Sequence, residues 1–198
     1  MSTFFFDPLP RRHYRVVLID PPWKWSGGTK SRPQHYPRMT LAEIMAMPVR
    51  ELLHPDGGRV FMWLTGPLMN RIDEIVRAWR LRFSTVITWV KLWPRDAGNM
   101  WFDKESLARG HGLEAVGNPE YVVILKAGRP QSIKGNPFPN PIFAGRREHS
   151  RKPVDLHEEI EERLAGPRVE IFARSPRAGW DVWGNETSKF APAMEAAE

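Results

Sequence analysis

Tyr14-Arg15-Val16-Val17-Leu18-Ile19-Asp20-Pro21-Pro22-Trp23 is the stretch from which the fold is read. A short, β-branched apolar run that stops abruptly at two prolines has the pattern of a strand buried on both faces of a parallel sheet. The tetrapeptide Asp20-Pro21-Pro22-Trp23 then lies just beyond the carboxyl end of that strand, where open α/β sheets bind their ligands. Residues 24–38, rich in Gly, Ser, Lys and Pro and without period, read as a loop.

Working outward, Thr40-Leu41-Ala42-Glu43 is a capping box that opens a helix through about Met47, and Pro48 restarts a shorter one through Leu53. His54-Pro55-Asp56-Gly57-Gly58 is a turn, and residues 59–65 (Arg-Val-Phe-Met-Trp-Leu-Thr) a second buried strand. After Gly66 comes a helix whose apolar stripe is Leu68, Ile72, Ile75, Val76 and Trp79. Further strands are expected over residues 83–91, 120–126 and 168–173, with a short one at 180–183, and Pro153 starts a helix that runs to Leu164. Strands alternating with helices imply an α/β fold with a doubly wound, mostly parallel central sheet and helices on both faces. Three long connections, residues 24–38, 92–119 and 127–150, exceed the usual length of idle loops and are expected to work.

A chain of 198 residues is read as one domain, with residues 1–13 as an N-terminal arm and 188–198 as a flexible tail. No apolar run approaches the roughly 18 residues of a membrane span, no signal peptide is visible, and there is no cysteine for disulfides or thiolate metal sites. The expected compartment is therefore the cytoplasm, with no membrane partner. A net charge of +6 and a pI near 9.9 favour a polyanionic partner. The charge is concentrated in two loops: Lys24, Lys30, Arg32 and Arg38 after the tetrapeptide, and Arg129, Lys134, Arg146, Arg147, Arg151 and Lys152 later in the chain.

The tetrapeptide suits one kind of chemistry. The amine of an aromatic ring such as adenine is a poor nucleophile, because its lone pair is delocalised into the ring. A carboxylate accepting one amine hydrogen and a backbone carbonyl accepting the other draw the nitrogen towards sp3 geometry and aim its lone pair at an electrophile. Asp20 offers the carboxylate and Pro21 the carbonyl. The prolines stiffen the backbone and keep it out of the sheet ladder, and Trp23 offers a flat surface for a base. Alone, the four residues read equally well as a strand-ending turn; their place at a strand end is what favours chemistry.

Around them stand further blocks in fixed order. His35-Tyr36-Pro37-Arg38-Met39-Thr40, Phe61-Met62-Trp63-Leu64-Thr65, Thr88-Trp89-Val90-Lys91, Glu148-His149-Ser150-Arg151-Lys152-Pro153, Glu170-Ile171-Phe172-Ala173-Arg174 and Gly179-Trp180-Asp181-Val182-Trp183-Gly184-Asn185-Glu186 follow the motif. Together they resemble the MT-A-seventy-like adenine-N6 methyltransferase family, which takes in the catalytic subunit of the mRNA adenosine methyltransferase and many phage and bacterial DNA adenine methyltransferases. The resemblance covers about residues 7–187. It implies a Rossmann-like S-adenosylmethionine-dependent methyltransferase in circularly permuted order, the catalytic strand first and the cofactor strand late, with S-adenosylhomocysteine as product. By that resemblance Asp20 faces both the cofactor's amino group and the target amine, and Lys152 holds the methionine carboxylate. His149 and Ser150 line the cofactor pocket beside Lys152, and Arg174, Asn185 and Glu186 contact the adenosine end.

On the substrate side the expected contacts are His35 and Tyr36 near the target base, with Lys24, Trp25, Arg146 and Arg147 from the basic loops. Trp63, Trp89 and Trp183 sit on strands and read as core, whereas Trp25, Trp93 and Trp101 lie in loops suited to base stacking. His111 and His149 lack the spacing of a metal site, and no metal is expected. The acids of the helix at 153–164 read as a solvated face. Relatives carry a Gly followed closely by an aromatic before the strand at residue 120; Gly110-His111-Gly112-Leu113 lacks that aromatic, so substrate contacts there are not carried over. The expected partner is nucleic acid, DNA before RNA, with short or relaxed sequence specificity, in a bacterial or phage-infected cell; the alternatives are an enzyme acting on RNA and a non-catalytic nucleic-acid-binding subunit of the same fold, and a homodimer is left open.

Overall fold

The computed structural model describes residues 3–24, 38–110, 115–148 and 151–190. Its frame is a seven-stranded sheet in the order β5-β3-β4-β2-β1-β6-β7. The strands are β1 Val16–Ile19, β2 Gly57–Leu64, β3 Arg82–Leu92, β4 Glu120–Gly128, β5 Ile142–Gly145, β6 Arg168–Ile171 and β7 Asp181–Trp183. β1 sits between β2 and β6, parallel to both, and β3 with β5 and β6 with β7 are also parallel pairs. Only β4 runs against its neighbours, antiparallel to β2 and β3.

All four residues of β1 and all eight of β2 are buried, as expected of strands covered on both faces. Because successive side chains alternate, Val17, Ile19, Val60, Met62 and Leu64 enter one apolar core and Val16, Leu18, Phe61 and Trp63 enter another. The first core is closed by α1 (Leu41–Ala46), α2 (Val49–Leu52) and α3 (Ile72–Ala78) through Ile44, Val49, Leu52, Ile72 and Ile75. The second is closed by α4 (Asp155–Arg163) through Leu156 and Ile160. Helices therefore cover both faces.

The capping box forms as read: the Glu43 amide donates to the Thr40 hydroxyl, and the Thr40 amide donates to the Glu43 carboxylate at 2.6 Å. The expected helix after Gly66 begins as a 3-10 turn, Gly66–Arg71, and becomes α-helical only at Ile72. The two basic and aromatic loops hold more structure than their composition suggested. Residues 92–119 contain 3-10 turns at Pro94–Asp96 and Lys104–Ser106, and the 127–150 stretch contains β5. β5 was hidden because it is only four residues long, preceded by a run of prolines, and held by burying Ile142 and Ala144 beside Trp89, whose indole donates to the Ala144 carbonyl.

The N-terminal segment is not a loose arm. Phe4, Phe6 and Leu9 are buried in the first core, and Phe6 packs edge-on against Trp183 with ring centroids 5.1 Å apart. At the other end Phe190 is tied down by its amide to the Arg174 carbonyl at 2.9 Å and by the Arg151 guanidinium 5.0 Å from its ring centre, so the expected tail does not begin at residue 188. Residues 191–198 lie outside the described residues.

Candidate active site

A set of charged side chains converges on one edge of the sheet. The carboxyl ends of β1, β2, β3, β5, β6 and β7 share that edge, and β4, being antiparallel, contributes its amino end. Glu120, the first residue of β4, thereby comes to the same edge as Asp20, the residue after β1. Lys152 joins them: its Nζ lies 3.0 Å from Asp20 Oδ2 and 3.1 Å from Glu120 Oε2. Lys91, from the end of β3, donates to the other oxygen of Glu120 at 2.7 Å. The result is an alternating chain of charge, Asp20, Lys152, Glu120, Lys91, laid over the edge. Its side chains are only 16–22% exposed, and each ammonium lies over an indole, Lys152 at 5.3 Å from the Trp63 ring and Lys91 at 5.1 Å from Trp89. Trp63 and Trp89 are core residues, as read, and they also floor this site.

Burial pushes the Asp20 carboxyl above the usual carboxylate range; Lys152 and, more weakly, Arg174 oppose that shift, while Glu120 adds to it. For Lys152, burial alone would favour the neutral amine, but the two carboxylates overcome it and hold the ammonium above its ordinary value. Glu120 is also disfavoured by burial, yet with a lysine on each oxygen it is held below the carboxylate range. Asp20 is thus the least comfortable charge of the set.

The tetrapeptide forms a tight knot. Trp23 N–H donates to the Pro21 carbonyl at 2.9 Å, Met39 N–H donates to the Pro22 carbonyl at 2.8 Å, and Lys24 N–H donates to the Met39 carbonyl at 2.9 Å. Neither proline carbonyl is therefore wholly free, although both stay out of the sheet ladder. Pro22 is spent on tying the loop shut, and Pro21 keeps one lone pair, since a carbonyl oxygen accepts two hydrogen bonds. Trp23 is half-buried against the first core, so only part of its ring is offered to a base. Its Nε1 and the Oγ1 of Thr65, just past β2, are buried and have no hydrogen-bond partner among the described residues. Buried donors are rarely left so unless something else completes them, and two at the carboxyl edge fit a polar ligand bound there.

Beyond β6 the chain turns sharply. Phe172 has a φ of 63°, a left-handed conformation that its side chain disfavours, and it is held there because Phe172 N–H and Ala173 N–H both donate to the Trp183 carbonyl, at 2.6 and 3.1 Å. Gly184 makes this possible: its φ is 149°, and a Cβ there would come within 2.9 Å of the Phe172 Cα. Gly184→Ala is expected to cost about 1–3 kcal/mol of stability, read as a lowered thermal midpoint, and to displace the Phe172-Ala173-Arg174 turn. Arg174 Nε lies 4.0 Å from the Glu186 carboxylate, which also accepts from Lys189 at 2.7 Å, and Asn185 is exposed beside them. The expected cofactor residues Lys152, Arg174, Asn185 and Glu186 are therefore brought to the edge that carries Asp20. Trp25, His35, Tyr36, His111, His149 and Ser150 lie outside the described residues.

Arg146 and Arg147 follow β5 and line, with Trp93, Pro94 and Glu148, an open cleft of about 370 Å³ at the same edge; Lys24 is exposed. Among the described residues no three His, Asp or Glu side chains come together as a metal site, and no helix is long and apolar enough to cross a membrane. The acidic helix face is less solvated than expected. Glu161 is drawn down to about pKa 2 chiefly by its hydrogen bonds from Arg177, with the Trp180 indole donating as well, and Glu159 pairs with Arg163 at 2.7 Å.

Two members of the charged chain, Glu120 and Lys91, were not picked out from sequence. Their signal is a single acid opening an otherwise apolar buried strand, and a lysine closing one; only the antiparallel course of β4 reveals that they meet.

The MT-A70 family profile matches residues 14–186, which include every described residue of this site. The chain belongs to the MT-A70 family. Relatives include the type II methyltransferase M.MunI of Mycoplasma sp, 27% identical over 91% of this chain and 81% of its own length. A putative N(6)-adenosine-methyltransferase MT-A70-like protein of Medicago truncatula is 28% identical over 88% of this chain and 26% of its own. The human N(6)-adenine-specific methyltransferase METTL4 is 27% identical over 91% and 39% respectively. Against the two longer relatives, this MT-A70 chain spans well under half of their length.

Proposed function

We propose that this MT-A70 methyltransferase moves the methyl group of S-adenosylmethionine to the N6 amine of adenine in nucleic acid, DNA in preference to RNA. The observation that carries the reading is the Asp20 carboxylate, under-exposed and held by Lys152 beside the half-free Pro21 carbonyl. Asp20 and Pro21 accept one amine hydrogen each, which turns the nitrogen lone pair out of the ring. Bound S-adenosylmethionine supplies an electrophilic methyl. As the new N–C bond forms the nitrogen gains positive charge and must shed one proton, for which Asp20 is the nearest acceptor. Lys152 keeps Asp20 ionised until then, and Glu120 keeps Lys152 in place. Most of the acceleration comes from this fixed geometry and charge.

Lys152, an ammonium with three donors and two carboxylate partners, would hold the cofactor's carboxylate, and Arg174, Asn185 and Glu186 its adenosine end. Preference for DNA is supported by the similarity in length and sequence to a type II methyltransferase. Arg146, Arg147 and Lys24 would contact phosphates, which fix position but read no sequence, consistent with short or relaxed specificity.

The test is to incubate the protein with methyl-labelled S-adenosylmethionine and single- or double-stranded DNA or RNA. Label is expected in DNA above RNA, with apparent affinity falling steeply between low and moderate salt, roughly 0.7–0.9 decades per decade of salt for each phosphate contacted. Label in RNA alone would overturn the DNA preference, and no label in any of the four would overturn the reaction.

A further inference from the structure

A second feature of the carboxyl edge takes no part in the chemistry. The 93–103 segment folds back over β5: Gly145 approaches Ala97 so closely that a Cβ there would meet the alanine methyl at 2.8 Å, and Phe102 rests on Phe143 with ring centroids 4.7 Å apart. This packing leaves large apolar side chains in water. Met100 and Trp101 are each 85% exposed, and Phe102 and Phe143 remain 40% and 44% exposed. A surface of that kind on a small protein marks an interaction site.

Its neighbours say what kind. Phe143 is three residues before Arg146, about 10 Å along the strand, and the Arg146 amide donates to the Leu92 carbonyl at 2.7 Å, which places the start of the cleft beside Trp93. Among the described residues neither Arg146 nor Arg147 has a carboxylate within ion-pair distance, although Arg147 lies near enough to help Arg151 hold the Glu148 carboxyl below its usual range. Exposed aromatic faces set beside guanidinium groups that no close ion pair occupies are the combination that binds unpaired nucleic acid, the rings stacking on bases and the cations holding phosphates. A duplex hides its base faces and gains nothing from the rings.

We propose that Trp93, Trp101, Phe102, Arg146 and Arg147 form a landing surface for an unpaired strand flanking the target base. The occupant is single-stranded nucleic acid rather than a protein or a second copy of this chain. The surface rests on the nucleic-acid reading above but uses none of its catalytic groups. It lies at the β5 end of the sheet, with β3, β4 and β2 between it and β1, a span of about 19 Å at the usual strand spacing, so a strand seated there reaches Asp20 along the charged edge and arrives with its base already unstacked. Flipping a base out of a duplex costs a few kcal/mol, which an unpaired substrate avoids.

The experiment is fluorescence anisotropy with a labelled oligothymidylate of about twelve nucleotides, without cofactor and without any adenine to methylate. Wild-type protein is expected to bind it more tightly than the matching duplex. Trp101→Ala is expected to weaken binding about tenfold, from the loss of one stacked base. Arg146→Gln with Arg147→Gln should flatten the log–log salt slope by about 1.4. Trp101 is exposed, so its removal leaves the fold intact, which circular dichroism checks. Equal binding of duplex and single strand, or variants that bind like wild type, would overturn the proposal. So would a wild-type dimer in sedimentation that Trp101→Ser converts to monomer, since the patch would then be covered by a second copy. Binding that behaves as expected without methyl transfer to any substrate would sink the enzymatic reading alone; methyl transfer with unaffected variants would sink this one alone.

Discussion

Asp20→Asn lowers the turnover of methyl transfer by at least about 10²–10³-fold, the range seen when one preorganised polar group at a reacting centre is lost, while the thermal midpoint at neutral pH stays level or rises. The asparagine keeps the size of the side chain but offers a weaker acceptor and takes no proton. The stability half follows from the direction of the pKa shift. Burial raises the Asp20 pKa in the folded protein, so the fold binds that proton more tightly than the unfolded chain does. Asp20 therefore supports the fold at low pH and works against it once the pH passes the raised pKa. Substituting an uncharged amide removes that opposition. The same shift predicts that wild-type turnover falls on acidification at a pH above the ordinary Asp value of about 3.9. Steady-state kinetics across pH and a thermal melt of both proteins check the two halves together; a variant that loses both activity and several degrees of midpoint would show Asp20 to be a structural residue.

Lys152→Met has the opposite balance. It keeps an unbranched apolar side chain of similar length but removes the cation that lies over Trp63 and between two buried carboxylates. Asp20 and Glu120 are then left facing one another, and breaking a buried pair in this way costs about 3–5 kcal/mol. For a chain of this length that is a fall on the order of 10 °C in thermal midpoint. A rescue distinguishes the cause: adding Asp20→Asn to Lys152→Met removes one of the opposed charges and should restore a measurable part of the midpoint, though no activity. A double variant no more stable than Lys152→Met would mean that the loss comes from packing and not from charge. Affinity for S-adenosylmethionine, measured by calorimetry on the folded single variant, should also fall if Lys152 holds its carboxylate.

The central strands were legible because burial on both faces writes itself as uninterrupted apolar runs. Val16–Ile19 and the Val60–Leu64 part of β2 were read within a residue or two of their observed ends. The Thr40 capping box was equally plain, since its hydrogen bonds are local. What escaped was set by contacts between distant segments. β5 has no sequence pattern of its own and exists because Trp89 and α4 bury Ile142 and Ala144. Phe4 and Phe6 read as an arm because nothing nearby in sequence calls for them; their partner, Trp183, is at the other end of the chain. Asp20 and Lys152 were identified through motif blocks, but Glu120, which completes the set, depends on β4 reversing direction. No local pattern encodes that reversal.

The most direct measurement of the central claim is nucleoside mass spectrometry of DNA after incubation with S-adenosylmethionine and either wild-type protein or Asp20→Asn. The paired acceptors at Asp20 and Pro21 are expected to yield N6-methyladenine with wild type and none above background with the variant. Methyl groups on a ring nitrogen or on cytosine, or N6-methyladenine formed equally by both proteins, would contradict it.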